Sequence, residues 1–195
     1  MFSQTRDIPM RADSFIDLYK GCTVNCEMCK FNRAGGGITE LNINFADYKN
    51  QKVLFCYSTE PYALDDFDLV KQSVLKLKAN GCSIVFLIRK ANCLIKQLDL
   101  FDKNDIVGVS VSENSSKNSG VADIIKLFKK AKATGLTTWI SLEPVLSADF
   151  ANKVINDTHE FVDYYRVGKD DLLNYDFEKV KKDIIPPQDS EVFIK

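Results

Sequence analysis

Short apolar runs recur along the chain and alternate with stretches whose apolar residues are spaced as on one side of a helix. Runs that are apolar almost throughout are typical of strands buried on both faces of a parallel sheet. We predict six strands, at residues 15–18, 53–57, 83–88, 106–112, 138–142 and 161–167. We predict helices between them, from Asp65 or Asp66 to Asn80 and at residues 91–100, 121–134, 148–160 and 175–182.

Two regions depart from this alternation. Consecutive glycines interrupt residues 30–50, which we predict to form a long loop with a short helix near Asp47. The polar tail that begins at Pro186 is predicted to be loosely held.

The alternation of strands and helices predicts a parallel sheet joined by right-handed crossovers. With 195 residues, the chain is shorter than the ~250 residues that a full eight-unit barrel usually needs. We therefore predict a single α/β domain built as a partial (β/α)6 TIM-like barrel, with its core at about residues 12–170 and a tail at residues 184–195. An open doubly wound sheet is the alternative. In both architectures the functional face lies at the carboxyl ends of the strands.

Composition narrows the class of protein. The chain is 45% hydrophobic and 27% charged, with a net charge of -1, which is ordinary for a soluble globular domain and gives no overall basic field for nucleic acid. Residues 1–11 lack the apolar core of a signal peptide, and no apolar run approaches the ~20 residues that span a bilayer. We therefore expect a cytoplasmic protein with no membrane partner, whose six cysteines bind metal or do chemistry rather than form disulfides.

Polar side chains collect where the predicted strands end. The cysteines follow the first strand, and Ser58, Thr59 and Glu60 follow the second. Arg89 and Lys90 follow the third strand, and Ser110 and Ser112 lie on the fourth. Glu143 follows the fifth strand, and Lys169 follows the sixth. Ser110 and Ser112 alternate with Val109 and Val111, so the two serines share one face of their strand. If the valines pack against helices, the serines face the barrel interior. A solvated strand end is the alternative for each residue taken alone.

The loop after the first strand carries the most specific pattern, because Cys22, Cys26 and Cys29 have the spacing C-x3-C-x2-C. Thiolates favour zinc, copper(I) or an iron–sulfur cluster. Structural zinc usually takes four protein ligands, but no second cysteine pair follows and the only histidine is His159. Three thiolates fit a 4Fe–4S cluster with one iron open to a further ligand. A zinc site, or three unrelated thiols, is the alternative.

This cysteine loop resembles that of the radical SAM family, although Met28 stands where an aromatic residue often precedes the third cysteine. The resemblance implies a partial barrel and a 4Fe–4S cluster whose open iron binds the amino and carboxylate groups of S-adenosylmethionine (SAM). It further implies that one electron from the cluster breaks the C–S bond of SAM. The products are methionine and a 5′-deoxyadenosyl radical, which abstracts a hydrogen atom from the substrate.

The resemblance and the chemistry of SAM together suggest the binding residues. We predict that SAM is bound by Ser58, Thr59, Glu60, Lys90, Ser110 and Ser112. Glu60 matches the carboxylate that holds the SAM amine in the family, where the common run is Gly-Gly-Glu. Arg89 or Lys90 is placed to pair with the SAM carboxylate, and the strand serines are placed to meet its ribose or carboxylate.

Further segments look like the spore photoproduct lyase family and its photolyase-like relatives. They lie at residues 56–60, 107–112 and 139–144, and the similarity covers about residues 15–169. In the lyase a serine, a lysine and a second serine hold SAM, and they match Ser58, Lys90 and Ser110. The lyase also uses a cysteine two residues before the first serine as hydrogen-atom donor to the substrate radical. Cys56 matches that cysteine, and a small buried apolar residue is the alternative reading of it.

The sequence thus predicts a radical SAM enzyme, first of all a lyase that acts on DNA or a nucleotide. A flavodoxin or ferredoxin is expected as electron donor, and a nucleic acid or a protein as substrate. The chain has neither the length nor the basic surface for both the N-terminal extension and the DNA-clasping hairpin of the lyase, so we do not expect the identity of the substrate to transfer. The alternatives are a small-molecule enzyme similar to 7-carboxy-7-deazaguanine synthase, an activase that forms a glycyl radical on a partner protein, and a non-catalytic zinc-binding interaction module.

Overall fold

A computed structural model describes residues 10–24, 26, 37–113, 115–169 and 175–194. The strands are β1 (Ser14–Ile16), β2 (Tyr19–Lys20), β3 (Thr39–Glu40), β4 (Lys52–Phe55), β5 (Ser83–Ile88), β6 (Ile106–Val111), β7 (Thr137–Leu142), β8 (Tyr164–Val167) and β9 (Glu191–Ile194). Seven of them form one parallel sheet in the order β1-β4-β5-β6-β7-β8-β9. The remaining two, β2 and β3, form a short antiparallel pair.

Among the described residues, α-helices follow five of the seven strands of the parallel sheet, β4 to β8. They are α1 (Phe67–Ala79), α2 (Ala91–Ile95), α3 (Val121–Ala133), α4 (Ala148–Thr158) and α5 (Phe177–Lys182), with 3-10 turns at Phe45–Asp47, Leu98–Leu100 and His159–Phe161. Helix α1 begins as predicted, because the Asp66 side chain accepts a hydrogen bond from the Leu69 amide at 2.8 Å. It ends before Gly81, whose φ of +75° is a left-handed conformation that glycine adopts without strain.

The helices pack on one face of the sheet, which we call the helix face. On β6, Val107, Val109 and Val111 belong to the same apolar cluster as the buried residues of the helices, such as Leu127 and Phe128 of α3. Alternate strand residues point the other way. They form a second cluster of Met10, Val85, Ile106, Trp139 and Phe193. Within the described ranges no helix residue belongs to this second cluster, so we call its side of the sheet the helix-free face.

The order of the strands explains why the helices share a face. Successive parallel strands are neighbours in the sheet, and the order never reverses as it does in a doubly wound sheet. Crossovers of one hand that always advance in one direction place their helices on one side. The α/β class and the parallel sheet are therefore confirmed. The two edge strands, β1 and β9, do not pair with each other in the part of the chain that is described, so no backbone ladder closes the sheet there.

Several of the sequence predictions about strands are wrong. The second strand ends at Phe55 rather than at residue 57, because Cys56 has a left-handed φ of 56°. The tail that begins at Pro186 was predicted to be loosely held, but its residues Glu191–Ile194 form β9, which pairs along β8. Val192 and Phe193 of this strand are buried on opposite faces of the sheet, which has seven strands instead of the predicted six.

The remaining region, residues 30–50, combines loop with short elements. The 3-10 turn Phe45–Asp47 agrees with the short helix predicted near Asp47, whereas β3 lies in a stretch predicted as loop. None of the described helices is both long and apolar enough to cross a bilayer.

Candidate functional site

The cysteine loop begins beyond the carboxyl end of β1, and the antiparallel pair of β2 and β3 closes its base. Gly21 has a φ of +87°, and a Cβ atom there would lie 2.9 Å from the carbonyl oxygen of Gly37, so the close approach requires glycine. Cys22 and Cys26 are half-buried, and Cys22 packs against the apolar core of the helix face. Cys29, the third predicted ligand, lies outside the described residues.

Contacts hold this loop against the turn that follows β4. The Thr23 hydroxyl donates to the carbonyl oxygen of Ala63. The Ala63 amide in turn donates to the carbonyl oxygen of Glu60 at 3.1 Å. The cysteine loop therefore lies beside the segment 58–60 that the sequence predicts to bind SAM.

Glu60 is a buried carboxyl group with one satisfied oxygen. Its Oε2 accepts the Arg89 amide at 2.7 Å, whereas Oε1 has no hydrogen-bond partner. Burial raises the pKa of Glu60 to about 7, against the opposing effects of the Arg89 amide and the Lys90 charge. The Lys90 amide also lies close to the carboxyl, but outside hydrogen-bonding geometry. A cation or strong donor at Oε1 is what this carboxyl group lacks.

Cys56 does not lie on a strand face shared with the polar residues after it. Alternation along a continuous strand would place Cys56, Ser58 and Glu60 on one face, but the left-handed turn at Cys56 ends the strand. The thiol is buried in the core of the helix face. Burial raises its pKa above the ordinary range, so the group stays a protonated thiol. This position is the one that the alternative reading, a small buried apolar residue, describes.

Ser58 and Thr59 sit in the turn between Cys56 and Glu60. The Ser58 amide donates to Asp17 Oδ1 at 2.8 Å, and the Ser58 side chain stays half-exposed. The Thr59 hydroxyl is buried beside the Cys56 sulfur. Sequence reasoning missed Asp17, although an acidic residue between the first strand and the cysteine loop is a usable signal.

The two cations after β5 have different surroundings. Arg89 donates from Nη2 to Ser112 Oγ at 2.7 Å and from Nη1 to Asn118 Oδ1 at 3.2 Å, so its guanidinium braces the end of β6. Lys90 donates to the Tyr62 carbonyl oxygen at 2.7 Å and pairs with Asp65 at 2.9 Å. The Asp65 side chain is 69% exposed, so this ion pair adds little stability and is readily exchanged.

The predicted alternation along β6 is confirmed for Ser110, whereas Ser112 lies one residue beyond the end of the strand. Val109 and Val111 are buried on the helix face, and Ser110 and Ser112 alternate with them. The Ser112 hydroxyl is buried and donates to the carbonyl oxygen of Glu143 at 2.6 Å while it accepts from Arg89. Ser110 is half-exposed on the helix-free face. Ser112 therefore has an established structural contact, and Ser110 is the serine that a ligand can reach.

The helix-free face carries a further charged pair at its carboxyl end. Arg166 Nη2 lies 3.6 Å from Glu143 Oε2, and both side chains are partly exposed. Glu143 was predicted to lie at this edge, and Arg166 was missed. The usable signal was its alternation with Tyr165 and Val167, which are buried on the helix face.

The indole of Trp139 covers part of the helix-free face. Its indole lies across Gly108 of the neighbouring strand, where any Cβ atom would collide with the ring. Trp139 is buried in the second apolar cluster together with Met10 and Phe193. The helix-free face is therefore filled by apolar side chains below Trp139 and lined by polar ones above it.

A cavity of about 620 Å³ lies at the opposite end, against the amino ends of β4 and β5. Lys78, on its wall, pairs with Asp102 at 2.6 Å and with the fully buried Asp105 at 2.5 Å. Asp105 also accepts the Ile84 amide at 2.7 Å. These groups satisfy one another at the end of the sheet that usually serves stability.

No family model matches the chain, and no curated protein matches it by sequence. Among the residues that the structure describes, no three or more His, Cys, Asp or Glu side chains are grouped to hold a metal ion. Because Cys29 lies outside those residues, the metal site of Cys22, Cys26 and Cys29 remains a prediction of the sequence.

Proposed function

We propose that this chain is a radical SAM enzyme. It binds a 4Fe–4S cluster through Cys22, Cys26 and Cys29, and SAM at the carboxyl ends of β4, β5 and β6. The proposal includes a partial (β/α)6 barrel as the core. Strand order that follows the chain and helices on a single face support that core. Strand β9 is then an addition outside the six units.

The observation that carries the proposal is the unpartnered side-chain oxygen of Glu60, a residue whose backbone carbonyl accepts the amide of Ala63, which Thr23 of the cysteine loop contacts. Leaving a buried polar atom without a partner costs roughly 1–3 kcal/mol. An ammonium group removes that cost by a charge-assisted hydrogen bond, and SAM carries such a group. The half-buried thiols of Cys22 and Cys26 are soft ligands that suit iron–sulfur chemistry. The residues present therefore fit both cofactors.

When bound, the cluster and SAM supply one-electron cleavage of a C–S bond to give methionine and a 5′-deoxyadenosyl radical. The residues of the chain bind SAM and orient it. Glu60 accepts the amine at Oε1, and the half-exposed Ser58 and Ser110 hold polar groups of SAM. Lys90 would exchange its exposed partner Asp65 for the SAM carboxylate, because the ion pair with Asp65 lies at the surface and is weak.

Within the family, the proposed reaction is that of a lyase on a nucleic acid or nucleotide, with reduced flavodoxin or ferredoxin as electron donor. The match of Ser58, Lys90 and Ser110 to the SAM-holding residues of spore photoproduct lyase supports this choice. The burial of the Cys56 thiol in the helix-face core argues against its use as hydrogen-atom donor. The proposal for SAM cleavage does not depend on that thiol.

Anaerobic reconstitution of the full chain with iron and sulfide tests the metal site. We expect about four irons per chain and the visible absorption of an iron–sulfur cluster. Cys22→Ala, Cys26→Ala and Cys29→Ala should each lose the cluster. Cys93→Ala, which removes a half-buried thiol outside the loop, is the matched control and should keep it. About one tightly bound zinc and no iron would favour the zinc-binding module instead.

A further inference from the structure

One row of side chains lies directly above Trp139 on the helix-free face. Ser110, Ser141 and Arg166 are paired in register across β6, β7 and β8. Phe193 of β9 continues the row beyond Arg166 and is buried. Two small hydroxyl side chains and an apolar wall therefore flank one guanidinium group, above a floor made by the indole.

The guanidinium of Arg166 is incompletely satisfied. Among the described residues its polar contact is with Glu143 Oε2, at 3.6 Å, which is an ion pair but exceeds hydrogen-bond distance. A guanidinium has five N–H donors in a planar fork. The side chains of Arg166 and Glu143 are 29% and 28% exposed, so a small solute reaches both.

The position of Glu143 depends on a glycine across from it. A Cβ atom on Gly168 would lie 2.9 Å from the carboxyl carbon of Glu143 and 3.0 Å from Oε1. The bare backbone of Gly168 thus lets the carboxyl group lie over the end of β8. This arrangement leaves the guanidinium fork beside the carboxyl group rather than in a close bidentate pair with it.

We propose that Arg166, with Ser141 beside it in the row, forms a subsite that binds an oxyanion of the substrate, either a carboxylate or a phosphate ester. A guanidinium fork matches the two oxygens of such a group, and the Ser141 hydroxyl adds a donor at the same level. Glu143 competes for the guanidinium and orients it when the subsite is empty. The role as a substrate subsite rests on the proposed function, but oxyanion binding itself can be measured without the cluster or SAM.

Trp139 provides the readout, because it is the only tryptophan of the chain and lies one row below Arg166. Inorganic phosphate and acetate are titrated separately into the full chain at constant ionic strength set with chloride, with tryptophan emission and calorimetry recorded. We expect a saturable change with at least one of the two anions. The anion that binds more tightly distinguishes a phosphate-bearing substrate from a carboxylate-bearing one.

Variants assign the signal to the subsite. Arg166→Gln should weaken oxyanion binding roughly tenfold to a hundredfold, since it removes charge-assisted hydrogen bonds. Arg166→Lys should bind the oxyanion with an affinity between those of the unmodified chain and Arg166→Gln, because lysine keeps the positive charge but lacks the planar fork of N–H donors. Glu143→Gln should tighten binding several-fold by removing the competing carboxylate. Lys153→Gln, at an exposed position on α4, is the control and should bind as the unmodified chain does.

Two results would overturn the subsite. The first is the absence of saturable binding of either anion to the unmodified chain by both methods. The second is equal binding by Arg166→Gln and the unmodified chain, with Glu143→Gln also unchanged. Neither result bears on iron binding by the cysteine loop, so failure of the subsite and failure of the proposed function are separate outcomes.

Discussion

At the residue scale, Glu60 couples the stability of the chain to pH. Its pKa is about 7 in the folded chain, against an ordinary value of 4.5, because burial disfavours the charged form. As pH rises from about 4.5 to about 7, the unfolded chain releases this proton first, so the folded state holds more protons. The free energy of unfolding contributed by Glu60 therefore falls with rising pH over that window. The shift corresponds to about 3 kcal/mol, reached in full above pH 7.

Glu60→Gln should remove this dependence, because the amide stays neutral. Urea unfolding of the cluster-free chain between pH 5 and pH 8 should show the unmodified chain losing roughly 2–3 kcal/mol relative to the variant. Glu178→Gln, at a side chain that is 72% exposed, is the control and should follow the unmodified chain. If the free energy of unfolding depends on pH in the same way for Glu60→Gln and for the unmodified chain, the pKa of Glu60 is not raised by burial.

Residue positions were predictable from the sequence only while the backbone stayed regular. Ser110 lies where alternation along a strand places it, because β6 is a continuous strand from Ile106 to Val111. Cys56 departs from the same rule, because a single left-handed residue ends β4 and turns its side chain into the helix-face core. A non-glycine residue with positive φ has little local signature, so this turn could not be predicted from composition or spacing.

At the element scale, the amino ends of β5 and β6 are joined by one buried carboxylate. Asp105 is 0% exposed and accepts hydrogen bonds from the Ile84 amide at 2.7 Å and from the Asp102 amide at 2.9 Å. It also pairs with Lys78. Burial raises the pKa of Asp105, and the Lys78 contact opposes that shift. Two strands and the end of α1 therefore depend on this side chain.

Asp105→Ala should destabilise the chain by about 3–5 kcal/mol, because it leaves Lys78 and two backbone amides without their buried acceptor. Thermal or urea unfolding measures the loss. Asp99→Ala, at an exposed position in a nearby 3-10 turn, should change stability by no more than about 0.5 kcal/mol. Equal unfolding midpoints for the two variants would contradict a structural role for the Asp105 network.

Strand β9 should also stabilise the folded chain, through the burial of an apolar side chain. Phe193 is buried against Met10 and Trp139 on the helix-free face. Phe193→Ala should cost about 3–5 kcal/mol through lost burial and the cavity left behind. Glu191→Ala, an exposed position on the same strand, is the control. If both variants unfold at the same urea concentration as the unmodified chain, the tail is loosely held, as its sequence predicts.

Helix boundaries and β9 show why some elements were predictable and others were not. The limits of α1 follow from local chemistry, since Asp66 caps its first turn and Gly81 follows its last. Strand β9 has four residues in a polar tail, and its pairing with β8 spans more than twenty positions of sequence. Such a strand is stabilised by partners distant in the chain, which periodicity within the tail does not reveal.

At the scale of the whole molecule, the parallel sheet brings separate segments of the sequence to one edge. The alternation of strands and helices predicted this edge, and the register of the sheet aligns Ser110 with Ser141 and Arg166. Contacts between Thr23 and Ala63 add the cysteine loop to it. Side-chain partners at the edge, such as Asp65 for Lys90, were not predictable, because they depend on turns whose geometry the strand pattern does not define.

The central claim is that this edge binds a cluster and SAM and cleaves SAM reductively. The most direct measurement is release of 5′-deoxyadenosine from SAM by the reconstituted full chain under a strong reductant, followed by liquid chromatography. We expect release by the unmodified chain and by Cys93→Ala, and its loss in Cys22→Ala, Cys26→Ala and Cys29→Ala alike. A chain that holds a full iron complement yet forms no 5′-deoxyadenosine, or a Cys29→Ala variant that forms it as fast as the unmodified chain, would contradict the account.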